Sequence, residues 1–278
     1  MKKICAAVLA AALTQSACAA ESALLDLKGD WKQGRLVFGH AEPGAAVTFN
    51  GRKLSVTKDG AFVLGLDRDE KADAEVIVKL VDGAEEKHHY DVAKQEWQVQ
   101  HIDGLPADKV NPPKKVLDRI KKEQAELVAA RRHDTDADGF LQSFIWPTTG
   151  RVSGVFGSQR ILNGVPKSPH GGVDVAVPTG TQVVAPADAV VSLAEKDLYY
   201  TGGTLMLDHG HGVSSIMVHL SKLLVKQGEH VKQGQPIALS GMTGRATGPH
   251  LHWGMTWFDS KIDAASMVPP MPEAATPK

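Results

Sequence analysis

The chain has 278 residues, of which 42% are hydrophobic and 23% charged, so it can bury one large core or two modest ones. Its net charge is −1 at pH 7 and it contains no long basic run, which argues against nucleic-acid binding as a main activity. The only cysteines are Cys5 and Cys18, so the rest of the chain cannot rely on a disulfide.

Residues 1–19 have the three regions of a secretory signal. Lys2 and Lys3 precede an apolar run, and the small residues Ala17-Cys18-Ala19 follow it. We expect cleavage after Ala19 and export to the periplasm. Lipid attachment at Cys18 is the alternative, although the residues before it lack the aliphatic side chain usual for lipidation. No later apolar run approaches the ~20 residues that cross a bilayer, so we expect no stable membrane insertion.

Residues 20–103 alternate short apolar runs with turn residues. Asn50-Gly51, Asp59-Gly60 and Asp82-Gly83 separate β-prone runs, and such pairs favour tight hairpins because both residues accept positive φ. This pattern predicts a small immunoglobulin-like β-sandwich. We interpret it as a support domain without chemistry of its own.

Residues 104–139 predict a helical linker. The stretch 114–132 is rich in Lys, Glu, Ala and Leu and contains no glycine, and Ile120 belongs to one apolar stripe. Charged residues such as Arg119 and Glu123 are expected to stay in water.

Strands return between residues 140 and 268, now with many glycines and most of the interesting histidines. Short β-branched runs bounded by turn residues predict a second β-sandwich or barrel-like domain. Residues 269–278 are expected to form a loose tail. The predicted fold class is therefore mostly β, with a sandwich, a helical linker and a second β domain that carries the function.

Two histidine patterns in this second domain suit a metal. His170 and Asp174 flank two glycines, which permit a tight turn. His250 and His252 are two apart and share one face of a strand. Catalytic zinc sites use three such ligands and leave a fourth position open. A rival pair at His209-Gly210-His211-Gly212 is followed by glycine each time and is predicted to be a turn.

Four separated segments resemble one family. They are Gly154-Val155-Phe156-Gly157-Ser158-Gln159-Arg160, Pro169-His170-Gly171-Gly172-Val173-Asp174-Val175-Ala176, Val218-His219-Leu220-Ser221 and Gly241-Met242-Thr243-Gly244-Arg245-Ala246-Thr247-Gly248-Pro249-His250-Leu251-His252. In order and approximate spacing they resemble the lysostaphin and LytM-like zinc metallopeptidases, which cleave peptidoglycan peptides. The resemblance covers less than half of the chain and leaves the N-terminal part outside it.

The resemblance implies one zinc ion per chain, held by His170, Asp174 and His252. It leaves His219 and His250 for catalysis: one imidazole would take a proton from water while the other would steady the oxyanion, and the order of these roles stays open. The implied function is a zinc metalloendopeptidase that hydrolyses the peptide cross-links of peptidoglycan.

The chain departs from the family pattern at two places. Met217 stands where many members have Tyr, and Gly254-Met255 where an acidic residue is common. We expect these positions to shape the substrate groove.

Other functions remain to be weighed. A non-catalytic zinc-binding regulator or activator of another hydrolase would keep the fold and the metal without cutting. Residues 225–238 resemble the turns of lipoyl and biotinyl carrier domains, but no Met-Lys-Met-like tip occurs. The expected partners are peptidoglycan peptides, with no nucleic acid. The bond cut, the oligomeric state and any regulatory protein partner stay open.

Overall fold

The computed structural model describes residues 25–104 and 110–272. This part of the chain is mostly β, with twenty-one strands and one α-helix, which confirms the predicted fold class. The predicted signal at 1–19 lies outside the described residues, as does most of the predicted tail. No helix in the described ranges is long and apolar enough to cross a membrane.

The first part of the chain is a β-sandwich. Its seven strands are β1 (Leu25–Lys28), β2 (Leu36–Ala41), β3 (Ala46–Phe49), β4 (Arg52–Lys53), β5 (Ala61–Gly65), β6 (Asp73–Lys79) and β7 (Glu85–Asp91). One antiparallel sheet has the order β1-β2-β5 and the other β4-β3-β6-β7. Val76 and Val78 of β6 and Phe62 of β5 are fully buried in one common core, so the two sheets pack face to face.

The segment that follows leaves the sandwich. Strand β8 (Val99–Ile102) pairs in parallel with β10 (Gln159–Leu162), whose other neighbour is β11 (Val165–Pro166). A 3-10 turn at Lys114–Val116 then leads into helix α1 (Leu117–Arg131). The chain therefore reaches the C-terminal part through a strand that precedes the predicted linker and through a helix within it.

Charged side chains attach α1 to the C-terminal part. Glu123 accepts hydrogen bonds from Arg119 Nε at 2.5 Å and from the backbone N–H of Tyr199 at 2.7 Å. Arg119 Nη2 in turn donates to the carbonyl of Asp197 at 2.6 Å. The expectation of a solvated charged face holds for Arg119, whose side chain is 45% exposed, but was wrong for Glu123, which is 13% exposed. The helix lies against a hairpin whose backbone groups need partners.

The C-terminal part is built on one large sheet. Its further strands are β9 (Arg151–Gly154), β12 (Val173–Ala176), β13 (Gln182–Val184), β14 (Ala189–Leu198), β15 (Gly202–Gly210), β16 (Val213–Leu220), β17 (Lys222–Leu223), β18 (His230–Val231), β19 (Pro236–Leu239), β20 (Leu251–Trp257) and β21 (Ser260–Ile262). The large sheet has the order β18-β14-β15-β16-β20-β12-β9, with β21 beside β20, and a smaller sheet has the order β13-β19-β17. This order places the end of β16, β20 and β12 side by side, where the site lies.

The sandwich and the large sheet share a hydrophobic core. The rings of Phe49 and Trp257 meet edge to face with centroids 5.8 Å apart. The backbone N–H of Lys261 donates to Asp67 Oδ2 at 2.8 Å. The sandwich thus packs against the strand that carries His252. The domain limits at 103, 139 and 268 stay predictions.

Candidate active site

Pairing of β12 with β20 brings two predicted ligands together. Asp174 lies opposite His252 in the antiparallel register. On its other side, His252 lies opposite Val218, the residue before His219. Because directly opposed residues have Cβ atoms about 5 Å apart, the sheet itself holds the carboxylate and the imidazoles in reach of one another.

His170 enters from the loop before β12. A Cβ atom on Gly172 would lie 2.3 Å from the carbonyl oxygen of Trp253, so glycine is required for this close approach to β20. A Cβ atom on Gly171 would meet nothing closer than Lys261, at 3.7 Å. Of the two glycines that the sequence analysis singled out, Gly172 is the one that packing demands.

The three predicted ligands converge on one point. His170 Nε2 lies 2.9 Å from Asp174 Oδ1 and 2.9 Å from His252 Nδ1. His252 Nδ1 lies 2.8 Å from the same carboxylate oxygen. Among the described residues these three side chains form a group able to hold a metal ion.

Hydrogen bonds outside this group orient its members. His170 Nδ1 lies 2.9 Å from the carbonyl of Val155, which can only accept, so the ring proton lies on Nδ1 and Nε2 carries a lone pair. Arg160 Nη2 donates to Asp174 Oδ2 at 2.5 Å and leaves Oδ1 turned toward the histidines. These partners present lone pairs to the centre of the group.

Burial sets the charge state of the group. It lowers the pKa of His170 to about 4, so this imidazole is neutral at pH 7. Burial alone would raise the pKa of Asp174, but the contacts with His170 and His252 outweigh it, and the pKa lies well below the usual range. A carboxylate and a neutral imidazole therefore face each other at neutral pH.

This arrangement fits a metal cation. His170 Nε2 lies within hydrogen-bond distance of Asp174 Oδ1, but both atoms are acceptors because the ring proton of His170 is on Nδ1. Two lone pairs therefore face each other. A cation between such atoms removes the conflict. Two imidazoles and one carboxylate are the ligands of open catalytic zinc sites. The donor set thus fits zinc, with His170, Asp174 and His252 as the residues that would hold it.

The other two predicted residues, His219 and His250, stand beside this group and are called the groove histidines below. Their ring centroids lie 4.8 Å apart, and His250 Nε2 lies 3.8 Å from Asp174 Oδ1. Each holds its Nδ1 against a backbone carbonyl: His219 against Thr243 at 2.7 Å and His250 against Gly248 at 2.8 Å. In the neutral imidazole this contact places the ring proton on Nδ1 and leaves Nε2 as the acceptor.

His219 has an unusual backbone. Its φ is +63°, a left-handed conformation that costs a non-glycine residue about 1–2 kcal/mol. Its N–H donates to the carbonyl of Thr201 at 2.8 Å, which helps to hold this conformation. Burial and the neighbouring His250 lower the pKa of His219 to about 3, so it is neutral at pH 7. Strain of this kind persists where surrounding contacts over-determine it, and it clusters at functional sites.

A groove with two adjoining lobes crosses the site. The lobe of about 290 Å³ contains the groove histidines and Asp174, and the lobe of about 380 Å³ contains His170, His219 and His252. Gln100 of β8 and Gln124 of α1 line one lobe each, so the strand before the linker and the helix within it both form walls of the groove.

The rival histidine pair lies elsewhere. His209 belongs to β15, whereas His211 and Gly212 form the turn to β16, so the predicted turn holds for the second half of the motif. His209 is fully buried, with Nδ1 3.0 Å from the carbonyl of Asp188 and Nε2 2.8 Å from Ser215 Oγ. Both ring nitrogens are used within the core.

The expected role of the family departures was wrong. Met217 is fully buried and lies opposite Trp253 in the sheet, so its side chain belongs to the core. Gly254 and Met255 are also buried, and neither lobe is lined by these positions.

Two arginines were not predicted to be functional residues, although both lie in the quoted motifs. Arg160 holds Asp174, and Arg245 lines both lobes of the groove. A charged residue inside a glycine-rich segment was the available signal, but only the fold shows where each guanidinium lies.

A mostly β domain gathers two imidazoles and a carboxylate, with two further histidines beside them, which is the set of residues that the resemblance to metallopeptidases implied. Comparison with known proteins agrees: residues 168–264 match the model of Peptidase family M23. The chain therefore carries a Peptidase M23 domain, and the resemblance stated from the motifs is confirmed.

Curated relatives share this part of the chain. Peptidoglycan DD-endopeptidase ShyA of Vibrio cholerae is 35% identical over 170 residues, which cover 59% of this chain and 39% of that protein. DD-carboxypeptidase/endopeptidase Mpg of Neisseria gonorrhoeae is 38% identical over 104 residues, covering 37% and 24%. An uncharacterized metalloprotease of Haemophilus influenzae is 53% identical over 88 residues, covering 31% and 18%. The chain thus spans well under half the length of these relatives.

A solved structure extends the likeness beyond the M23 domain. The crystal structure of a Pseudomonas aeruginosa protein of the peptidase M23 group is 28% identical, with a TM-score of 0.67. The match covers 86% of this chain and 96% of that one, so the N-terminal part is included in the shared architecture.

Proposed function

We propose that the chain is a zinc metalloendopeptidase that hydrolyses peptide cross-links of bacterial peptidoglycan. The observation that carries the proposal is the convergence of His170 Nε2, Asp174 Oδ1 and His252 Nδ1 within 2.9 Å of one another, next to the imidazoles of the groove histidines. ShyA, which is named a peptidoglycan DD-endopeptidase, supports both the reaction and the substrate class. The names of Mpg, an endopeptidase, and of the Haemophilus influenzae metalloprotease support the reaction.

The proposed roles divide the five residues. His170, Asp174 and His252 would hold one zinc ion, which when bound lowers the pKa of a water ligand to about 7 and polarises a substrate carbonyl. The groove histidines present Nε2 lone pairs, so either can accept the proton that the attacking water loses. Once protonated, the same Nε2–H can donate to the oxyanion or to the leaving amine.

The proposed organisation is a secretory signal at 1–19, a support domain at 20–103, a linker at 104–139, the peptidase domain at 140–268 and a tail at 269–278. The proposed location is the periplasm, where peptidoglycan peptides would be the substrate.

Incubation of the purified, zinc-loaded protein with sacculi tests the proposal. Mass spectrometry of the soluble products should show new peptide termini, and the fragments would identify the bond that is cut. The matched control is His250→Ala, which keeps the three ligands. A non-catalytic regulator would release no new fragments from sacculi, and that outcome would refute the peptidase function.

A further inference from the structure

The turn between β9 and β10, residues 155–158, contacts His170 at three points and is called the cradle below. The carbonyl of Val155 lies 2.9 Å from His170 Nδ1. The backbone N–H of Gly157 donates to the carbonyl of His170 at 2.9 Å, and the N–H of His170 donates to the carbonyl of Ser158 at 2.8 Å. The cradle therefore holds both the backbone and the ring of this predicted metal ligand.

Two side chains from the N-terminal part of the chain contact the cradle, and together they are called the clamp. Arg68, between β5 and β6, donates from Nε to the carbonyl of Gly157 at 2.9 Å. Its guanidinium lies over the ring of Trp97, 5.0 Å from the centroid, and Trp97 meets Phe156 edge to face at 5.6 Å. Both clamp residues lie outside the segment 168–264 that matches the M23 family.

The clamp packs closely on Gly157. A Cβ atom at this position would lie 2.1 Å from Trp97 Cε3, so the contact excludes any side chain at 157. Gly157 is buried, and the side chain of Arg68 is only 13% exposed. A hydrogen bond from a charged donor is stronger than a neutral one, and shielding from water strengthens it further. Removing either clamp residue should therefore shift Gly157 and, through its backbone N–H, His170.

We propose that Arg68 and Trp97 are positioning residues for the metal ligand His170, so that the N-terminal part of the chain sets the metal affinity of the peptidase domain. The N-terminal part then influences the chemistry without touching substrate or metal. The inference rests on the proposed zinc site but not on which bond is cut. Partners that orient metal ligands typically change metal affinity by about 10- to 100-fold. Because the clamp acts through Gly157, we expect the lower end of this range.

Zinc affinity of the full chain, measured by competition with a chromophoric chelator, tests the hydrogen bond of the clamp. Arg68→Met keeps a long side chain but removes the donor to Gly157, so the affinity should fall about tenfold. Arg68→Lys keeps a charged donor and should recover part of the loss. The matched control is Asp69→Asn, which removes the ion-pair partner of Arg68 and should bind zinc like the wild type. Unchanged affinity in Arg68→Met, or an equal loss in Asp69→Asn, would overturn the inference.

Two glycines of nearly equal conformation test the packing of the clamp. Gly157 has a φ of +78° and Gly164 a φ of +77°, but the Cβ position of Gly164 has nothing within 4 Å. Gly157→Ala should lower zinc affinity about tenfold or more, because the methyl group must displace Trp97 or the cradle. Gly164→Ala imposes a similar backbone strain without the contact and should leave the affinity unchanged. Equal affinities in the two variants would count against the inference.

A further pair of measurements separates positioning from a general loss of stability. Val76→Ala opens a cavity in the sandwich core, so it should lower the stability of the fold but not the zinc affinity. In the cobalt-loaded protein, visible absorption reports the geometry of the metal ligands, so Arg68→Met should change the spectrum and Val76→Ala should not. An unchanged spectrum in Arg68→Met, or a similar loss of affinity in Val76→Ala, would show that the clamp is merely structural.

The outcomes also separate this inference from the proposed function. Sacculi that stay intact with the zinc-loaded wild type, while the affinities differ as expected, would defeat the peptidase function alone. Normal cleavage with equal affinities in all variants would defeat the positioning role alone. A wild type that binds no zinc would defeat both.

Discussion

His250, just before β20, and His252, within it, offer a sharp test of the site. His252 Nδ1 lies 2.8 Å from Asp174 Oδ1, whereas His250 Nε2 lies 3.8 Å away and its Nδ1 is held by a backbone carbonyl. We expect His252→Ala to lose zinc and His250→Ala to keep it. Both variants remove the same side chain within two residues, so general damage to the fold affects them alike.

The size of the effect can be worked from the number of ligands. Four-ligand structural zinc sites bind with about 10–16 kcal/mol, or roughly 3 kcal/mol per ligand, so losing one ligand should weaken binding by about two orders of magnitude. Competition with a chromophoric chelator measures the affinity, and elemental analysis after dialysis gives the stoichiometry. His250→Ala should hold one zinc per chain with wild-type affinity but release no muropeptides. Loss of zinc from His250→Ala, or full retention by His252→Ala, would refute the assignment of ligands.

Three further predictions concern stability and metal affinity. Burial lowers the pKa of His209 to about 4, below the usual 6.5, so its contribution to stability is complete above pH 6.5 and is lost as the pH falls, by about 2 kcal/mol at pH 5. In urea unfolding of the metal-free protein, His209→Gln should flatten this pH dependence, and parallel pH curves would contradict the role of burial. Gly210→Ala should cost at least about 2 kcal/mol, because φ is +93° and its Cβ atom would lie 1.8 Å from a backbone carbonyl. Gly180→Ala, with φ of +90° and open space around the Cβ position, should cost only about 1 kcal/mol, and equal losses would exclude the clash as the cause. Arg160→Gln should lower zinc affinity about tenfold without changing the stoichiometry, because Asp174 loses its orienting partner. An unchanged affinity in chelator competition would show that Arg160 does not orient the carboxylate.

Much of the architecture was readable from local pattern. Turn pairs such as Asn50-Gly51 and Asp82-Gly83 marked hairpins correctly, because positive φ is a property of a few residue types and needs no tertiary context. Helix α1 could be predicted for a similar reason, since its stretch lacks glycine and has a consistent apolar stripe. Local pattern did not reveal that β8 leaves the sandwich to pair with β10, because strand partners are chosen by contacts distant in sequence.

The roles of individual side chains depended on their position in the fold more than on their residue type. Glu123 looked like one more charge on a solvated helix, but it binds Arg119 and a backbone N–H of the neighbouring hairpin. Met217 looked like a groove residue because of where it stands in the motif, but it lies opposite Trp253 in the pairing of β16 with β20 and is fully buried in the core.

The sequence by itself determined which residue types were available for metal chemistry and that they lie in a β-rich, glycine-rich region. His170, Asp174 and His252 were predicted to be metal ligands because residue spacing and motifs can be read directly from the sequence. Only the tertiary structure decided that their ligand atoms meet, that Val155 and Arg160 orient them, and that Arg245 faces the same groove. The physical reason is that these contacts join residues far apart in sequence through the register of β12, β20 and β16, and register is set by the packing of the whole sheet.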